Sequence, residues 1–167
     1  MNLAEAVKLK SILKSKFYEY TEELHRVAFI TVEKGEEATN TFRSMSEVEK
    51  DLARIRQDIR TLDRLVYEAN TKNHVTFEDK EWALVEAIEL ASQLREEASL
   101  FRHFSEQAKQ TVENNTGDII LYRVAQYEPD EYRERADVLE KKAHRLSNAI
   151  NAKNYTIIID FDDSFYF

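Results

Sequence analysis

Apolar residues recur at alternating intervals of four and three through the middle of the chain, at Val48, Leu52, Ile55, Ile59, Leu62, Val66 and Ala69. This heptad-like seam predicts a helix packed along its length against a partner helix. Between the seam positions stand Glu49, Lys50, Asp51, Arg54, Arg56, Asp58, Arg60, Asp63 and Arg64, a charged and solvated outer surface. No catalytic motif interrupts the seam.

The same spacing recurs elsewhere. Leu13, Phe17, Tyr20, Leu24 and Val27, extended back through Leu3, Ala6 and Leu9, predict a first helix over about 3–27, with Asn2 and Glu5 as its capping box. The β-branched run after it predicts a strand over about 28–33, closed by a turn at Lys34-Gly35. Ser46 and Glu49 read as the capping box of the second helix, about 46–69, which gives out at Asn70, where Asn73 and His74 favour a turn. Thr76 and Asp79 read as the next helix start, and a seam from Leu84 through Ala87, Ala91, Leu94, Ala98, Phe101, Ser105 and Ala108 to Val112 extends that helix over about 77–112. Its small residues allow a close neighbour, so the second and third helices are expected to form a long αα-hairpin. Trp82 is expected to pack over the turn between them.

Asn114-Asn115-Thr116-Gly117-Asp118 breaks the pattern, and a branched, aromatic stretch predicts a strand over about 119–127. Pro129 opens a fourth helix, about 129–152, with Tyr132, Ala136, Leu139, Ala143, Leu146 and Ile150 on its seam. A last strand is expected over about 155–161, before an acidic, aromatic tail. The resulting fold class is mainly α. It is a four-helix, coiled-coil-like bundle in a single domain over 1–167, with a long αα-hairpin and two or three short strands at one end.

Composition narrows the function classes. The 167 residues include only two Gly and one Pro, with 34% charged and 11% aromatic residues, which suits long helices and not a disordered chain. A net charge of -8 argues against nucleic acid, because phosphate binding needs a concentrated basic face. The Lys8, Lys10, Lys14 and Lys16 cluster is followed on its own helix by Glu19, Glu22 and Glu23. Zero cysteine excludes disulfides and thiolate metal sites and fits a cytoplasmic protein. The first residues lack the pattern of a signal peptide, and no run approaches the roughly 20 apolar residues of a spanning helix.

Candidate chemistry is sparse. Glu22 and His25 have the Glu-x-x-His spacing of carboxylate-bridged metal bundles, yet such sites need a second motif and further glutamates, so neither a metal nor any other cofactor is expected. No nucleophile elbow or phosphate-cradling glycine loop is present. The polar cluster at Asn70, Asn73 and Thr76 reads as a turn held by side chains, or as a polar tip open to a ligand. Phe161, Phe165, Tyr166 and Phe167 either fold back as core or insert into a neighbouring subunit.

Several stretches together resemble one family. Met1-Asn2-Leu3-Ala4-Glu5-Ala6-Val7-Lys8-Leu9-Lys10, Val32-Glu33-Lys34-Gly35-Glu36, the Asn70, Asn73 and Thr76 segment, and Ile150-Asn151-Ala152-Lys153-Asn154-Tyr155 are similar to the DIP1984 family of small bacterial proteins, labelled septicolysin-like. The usual Thr-Asn pair of that family stands here as Lys72-Asn73, with Thr71 one place earlier. The resemblance implies a largely helical protein of undetermined role, and its label implies membrane activity. The residues themselves point to a non-enzymatic, self-associating helical scaffold whose partner is a second copy or another protein. A membrane-active protein and a metal-dependent bundle enzyme are the alternatives.

Overall fold

The computed structural model describes residues 1–37, 43–116 and 119–166, with the side chains of 114–116 left aside. It is mainly helical: α1 Leu3–Val27, α2 Met45–Lys72, α3 Leu84–Ser105 and α4 Pro129–Asn154. Two antiparallel two-stranded sheets pair β1 His74–Phe77 with β2 Lys80–Ala83, and β3 Gln110–Thr116 with β4 Ile119–Val124. The chain divides into two compact units, Met1–Lys72 with Lys153–Phe167, and Asn73–Ala152.

In the first unit α1 and α2 run antiparallel. Lys10 pairs with Asp63 at 2.5 Å, Arg56 lies 5.2 Å over the Phe17 ring, and Arg43 reaches Glu23 at 3.4 Å. Leu3, Ala6, Leu9 and Leu13 of α1 are buried, as are Val48, Leu52, Ile55, Leu62, Val66 and Ala69 of α2. Six of the seven seam positions read from the sequence are therefore the buried stripe, with Ile59 half-buried, and the partner that α2 packs along is α1. The expected α2–α3 hairpin is corrected accordingly, because a β-hairpin occupies the connection between them.

Asn2 caps α1 as expected: its Oδ1 accepts from the Glu5 amide at 2.9 Å, and its own amide donates to Glu5 Oε2 at 2.7 Å. The cap of α2 is Ser44, not Ser46. The Glu47 amide donates to Ser44 Oγ at 3.3 Å, and the Ser44 amide donates to Glu47 Oε2 at 2.8 Å. The Ser44 amide, and then the Ser44 hydroxyl, which also donates to Glu47 Oε2 at 2.8 Å, hold the Glu47 carboxyl below its usual range. At its other end α2 runs through Asn70 to Lys72, carried past the expected stop by the Arg64–Glu68 and Glu68–Lys72 ion pairs one turn apart.

Residues 29–33 form no strand within the chain, although the turn after them is present: the Glu36 amide donates to the Glu33 carbonyl, with Gly35 at φ 98°. A strand needs a ladder, and among the described residues none lies alongside. The last expected strand shrinks to one antiparallel bridge, Asn2 with Ile158, flanked by the Leu3 amide donating to Ile157 and the Ile159 amide donating to Met1. Ile157 and Ile159 are buried while Ile158 faces out, the alternation of a strand.

In the second unit the expected helix start at Thr76 and Asp79 is overturned. Val75 pairs with Trp82 and Thr76 with Glu81 across a tight turn whose central residues, Glu78 and Asp79, both have positive φ. That is the two-residue turn whose twist suits a hairpin. Trp82 thus stands on β2, with Lys80 Nζ 3.6 Å above its ring, and not over a helix–helix turn. α3 begins at Leu84, where Glu86 accepts from the Ala83 amide at 3.3 Å.

Leu84, Ala91, Ala98 and Ser105 recur every seven residues and are buried, with Ala87 beside them. α4 runs antiparallel to α3, joined by Arg102 to Glu140 at 2.9 Å and Arg95 to Ser147 at 2.9 Å. α3 ends at Ser105 instead of continuing to 112. Ser105 Oγ donates to the Arg102 carbonyl, and the Glu106 amide is shared among the last carbonyls. Ala108 and Val112, read as helix seam, lie in the following loop and in β3. β4 stops at Val124, three residues before the expected end, as the chain turns toward Pro129. α4 continues two residues beyond its expected end.

Candidate interaction surface

The β3–β4 ribbon is held firmly at its base. The Ala125 amide donates to the Lys109 carbonyl at 2.9 Å, and Lys109 Nζ donates to the Tyr127 carbonyl at 2.7 Å and pairs with Glu128. The Tyr127 hydroxyl donates to the Phe104 carbonyl at 3.1 Å. Phe104, Tyr127 and Tyr132 stack edge to face or tilted, with centroids 4.9–5.7 Å apart, and Phe101 joins through Tyr132. Arg135 lies 4.2 Å over Phe101, closing the cluster.

Beyond this base the ribbon is bare. Every residue of β4 is exposed, and five of the six, Ile119, Ile120, Leu121, Tyr122 and Val124, are large and apolar, each between 47% and 66% accessible. Val112, paired with Tyr122 across the ribbon, is 59% accessible. A two-stranded sheet ordinarily covers at least one face. Among the described residues this one covers neither, and each strand keeps an unpaired edge. The register slips between Val112 and Asn114, so β3 carries a bulge while β4 is regular along its length.

The residues singled out from the sequence are scattered. Glu22 and His25 are exposed near the end of α1, and among the described residues no group of three His, Asp or Glu could hold a metal. Asn70 is helical, the Asn73 carbonyl accepts from the Leu84 amide at 2.9 Å, and Thr76 is an exposed strand residue. The turn expected at 70–76 therefore resolves into helix end and strand.

The tail residues lie against α2. Tyr166 donates to the Asp58 carboxylate, Phe165 stacks under Arg54 at 4.3 Å and on Tyr166 at 5.2 Å, and Phe161 is half-buried. Phe167 lies outside the described residues. The ribbon's exposure was not foreseen from the sequence, and β3 was missed because its Asn114-Asn115-Thr116 end reads as a breaker. Its signal was the Thr111-Val112 pair just ahead.

Among the described residues, no helix is long and apolar enough to cross a membrane. The fold is similar to the crystal structure of a functionally unknown conserved protein from Corynebacterium diphtheriae, with a TM-score of 0.70 at 20% identity, covering 96% of this chain and 99% of that one. No curated protein matches the chain. Residues 13–159 match a family of unknown function, DUF6847, and the chain belongs to that family.

Proposed function

We propose that this protein is a non-enzymatic helical scaffold that assembles with copies of itself through the β3–β4 ribbon. The observation that carries this reading is the exposure of every residue of a largely apolar β4 on a base that is itself firmly anchored. A strand with apolar residues on both faces, as β4 has, is costly to leave in water, and contiguous patches of that kind mark association surfaces. The absence of cysteine from the sequence suits assembly in a reducing cytoplasm, where no disulfide is needed.

The test is the double variant Ile120→Lys with Leu121→Lys, which places a charge on each face of the ribbon. The native protein is expected to sediment as an oligomer and the variant as a monomer with unchanged helical circular dichroism. Equal masses for the two would overturn the reading. A native monomer that binds phosphatidylglycerol vesicles through the same residues would replace it with the membrane-active alternative implied by the septicolysin-like label.

A further inference from the structure

Residues 29–33, Phe29-Ile30-Thr31-Val32-Glu33, have the composition of a strand and pair with no other strand among the described residues. Phe29 is 87% exposed, and Ile30 and Val32 are nearly half exposed. β4 has the complementary deficiency: a regular, apolar strand with a free edge. The β3 edge is the poorer template, because its bulge breaks the spacing of amides and carbonyls. We infer that residues 29–33 of one copy add as a third strand to the β4 edge of a second copy, an inference that rests on the self-association proposed above.

Charge selects the register. Glu33 is the sole charged residue of its segment and Arg123 the sole charged residue of β4, and neither makes an ion pair among the described residues. A parallel alignment places Phe29, Ile30, Thr31 and Val32 beside Ile119, Ile120, Leu121 and Tyr122, and brings Glu33 to Arg123. An antiparallel alignment of the same length leaves Glu33 opposite Ile119 and Arg123 opposite Phe29. Pairing β4 with its own copy about a two-fold between Leu121 and Tyr122 likewise sets Arg123 opposite Ile120 and leaves residues 29–33 bare. The parallel ladder is slightly weaker per residue, but it requires no crossover when the strands come from different chains.

One added strand buries little. A stable interface needs on the order of 1,000 Å². Reciprocal exchange about a two-fold axis, each copy giving its 29–33 and receiving the other's, doubles the contact and closes the assembly.

The experiment is a charge exchange read by sedimentation equilibrium on the full chain. Glu33→Lys alone and Arg123→Glu alone are each expected to weaken association by about five- to tenfold, and the two together to restore it to within about twofold. Both positions are exposed, so the variants should fold as the native protein does. Because the sequence has no cysteine, Val32→Cys and Tyr122→Cys chains can also be mixed and treated with a short thiol cross-linker. A mixed dimer supports the exchange, and self-linking of Tyr122→Cys without a mixed product overturns it. Loss of assembly in the ribbon variant with no response to Glu33→Lys overturns strand addition while leaving self-association intact. A monomeric native protein overturns both.

Discussion

The Tyr166 phenol donates a hydrogen bond to the Asp58 carboxylate, tying the end of the chain to the middle of α2 across 108 positions. Burial, and then the hydrogen bond to Asp58, push the phenol well above its usual value. A raised folded-state value means that the native state holds this proton more tightly. Its contribution to stability is complete below the ordinary tyrosine range, near 10, and is lost as pH rises beyond it. In a spectrophotometric titration one of the eight tyrosines should ionise after the rest, and Tyr166→Phe should abolish that late phase. Simultaneous ionisation of all eight would contradict the contact.

The two possible caps of α2 can be separated by single substitutions. Ser44→Ala removes the acceptor of the Glu47 amide and should lower stability to urea by about 1 kcal/mol. Ser46→Ala, at an exposed position inside the helix, should change it by less than about 0.5 kcal/mol. The reverse order would return the cap to the register read from the sequence.

The turn between β1 and β2 holds Asp79 at φ 60°, a region where a side chain costs energy and glycine does not. Asp79→Gly should raise the melting temperature, with a gain of roughly 0.5–1 kcal/mol. Glu78 is best kept, since it pairs with Lys142 at 2.9 Å. A lower melting temperature for Asp79→Gly would show that the Asp79 side chain contributes more than its backbone conformation costs.

The seam itself is tested by truncation. Leu62 is fully buried, so Leu62→Ala should cost about 2–5 kcal/mol in chemical denaturation. Val138 on α4 is half exposed, and Val138→Ala should cost far less in the free chain.

What the sequence made legible was whatever depended on local period. The stripe from Val48 to Ala69, the first helix with its Asn2 cap, the fourth helix from Pro129 and the strand from Ile119 all follow from spacing or turn chemistry within a few residues. What depended on a distant partner was not legible. Residues 29–33 and 155–161 look alike in composition, yet among the described residues only the latter finds a backbone to pair with, at Met1–Leu3.

The seam could not say which helix it faced, because α1 and α3 both carry a stripe of matching spacing. Helical period also ran on through Thr76–Ala83 and Ala108–Val112, where paired strands override weak propensity. The candidate surface suffered most. An apolar strand reads the same whether it is covered or bare, and only the structure shows β4 uncovered on both sides.

The central claim is that the uncovered ribbon belongs against another copy of the chain. Light scattering coupled to size exclusion, on the native protein at micromolar concentration, measures this directly. We expect a mass that is a whole-number multiple, two or more, of the 19.7 kDa chain, falling toward a single chain on dilution. A mass of 19.7 kDa at every concentration, with no aggregation, would contradict it.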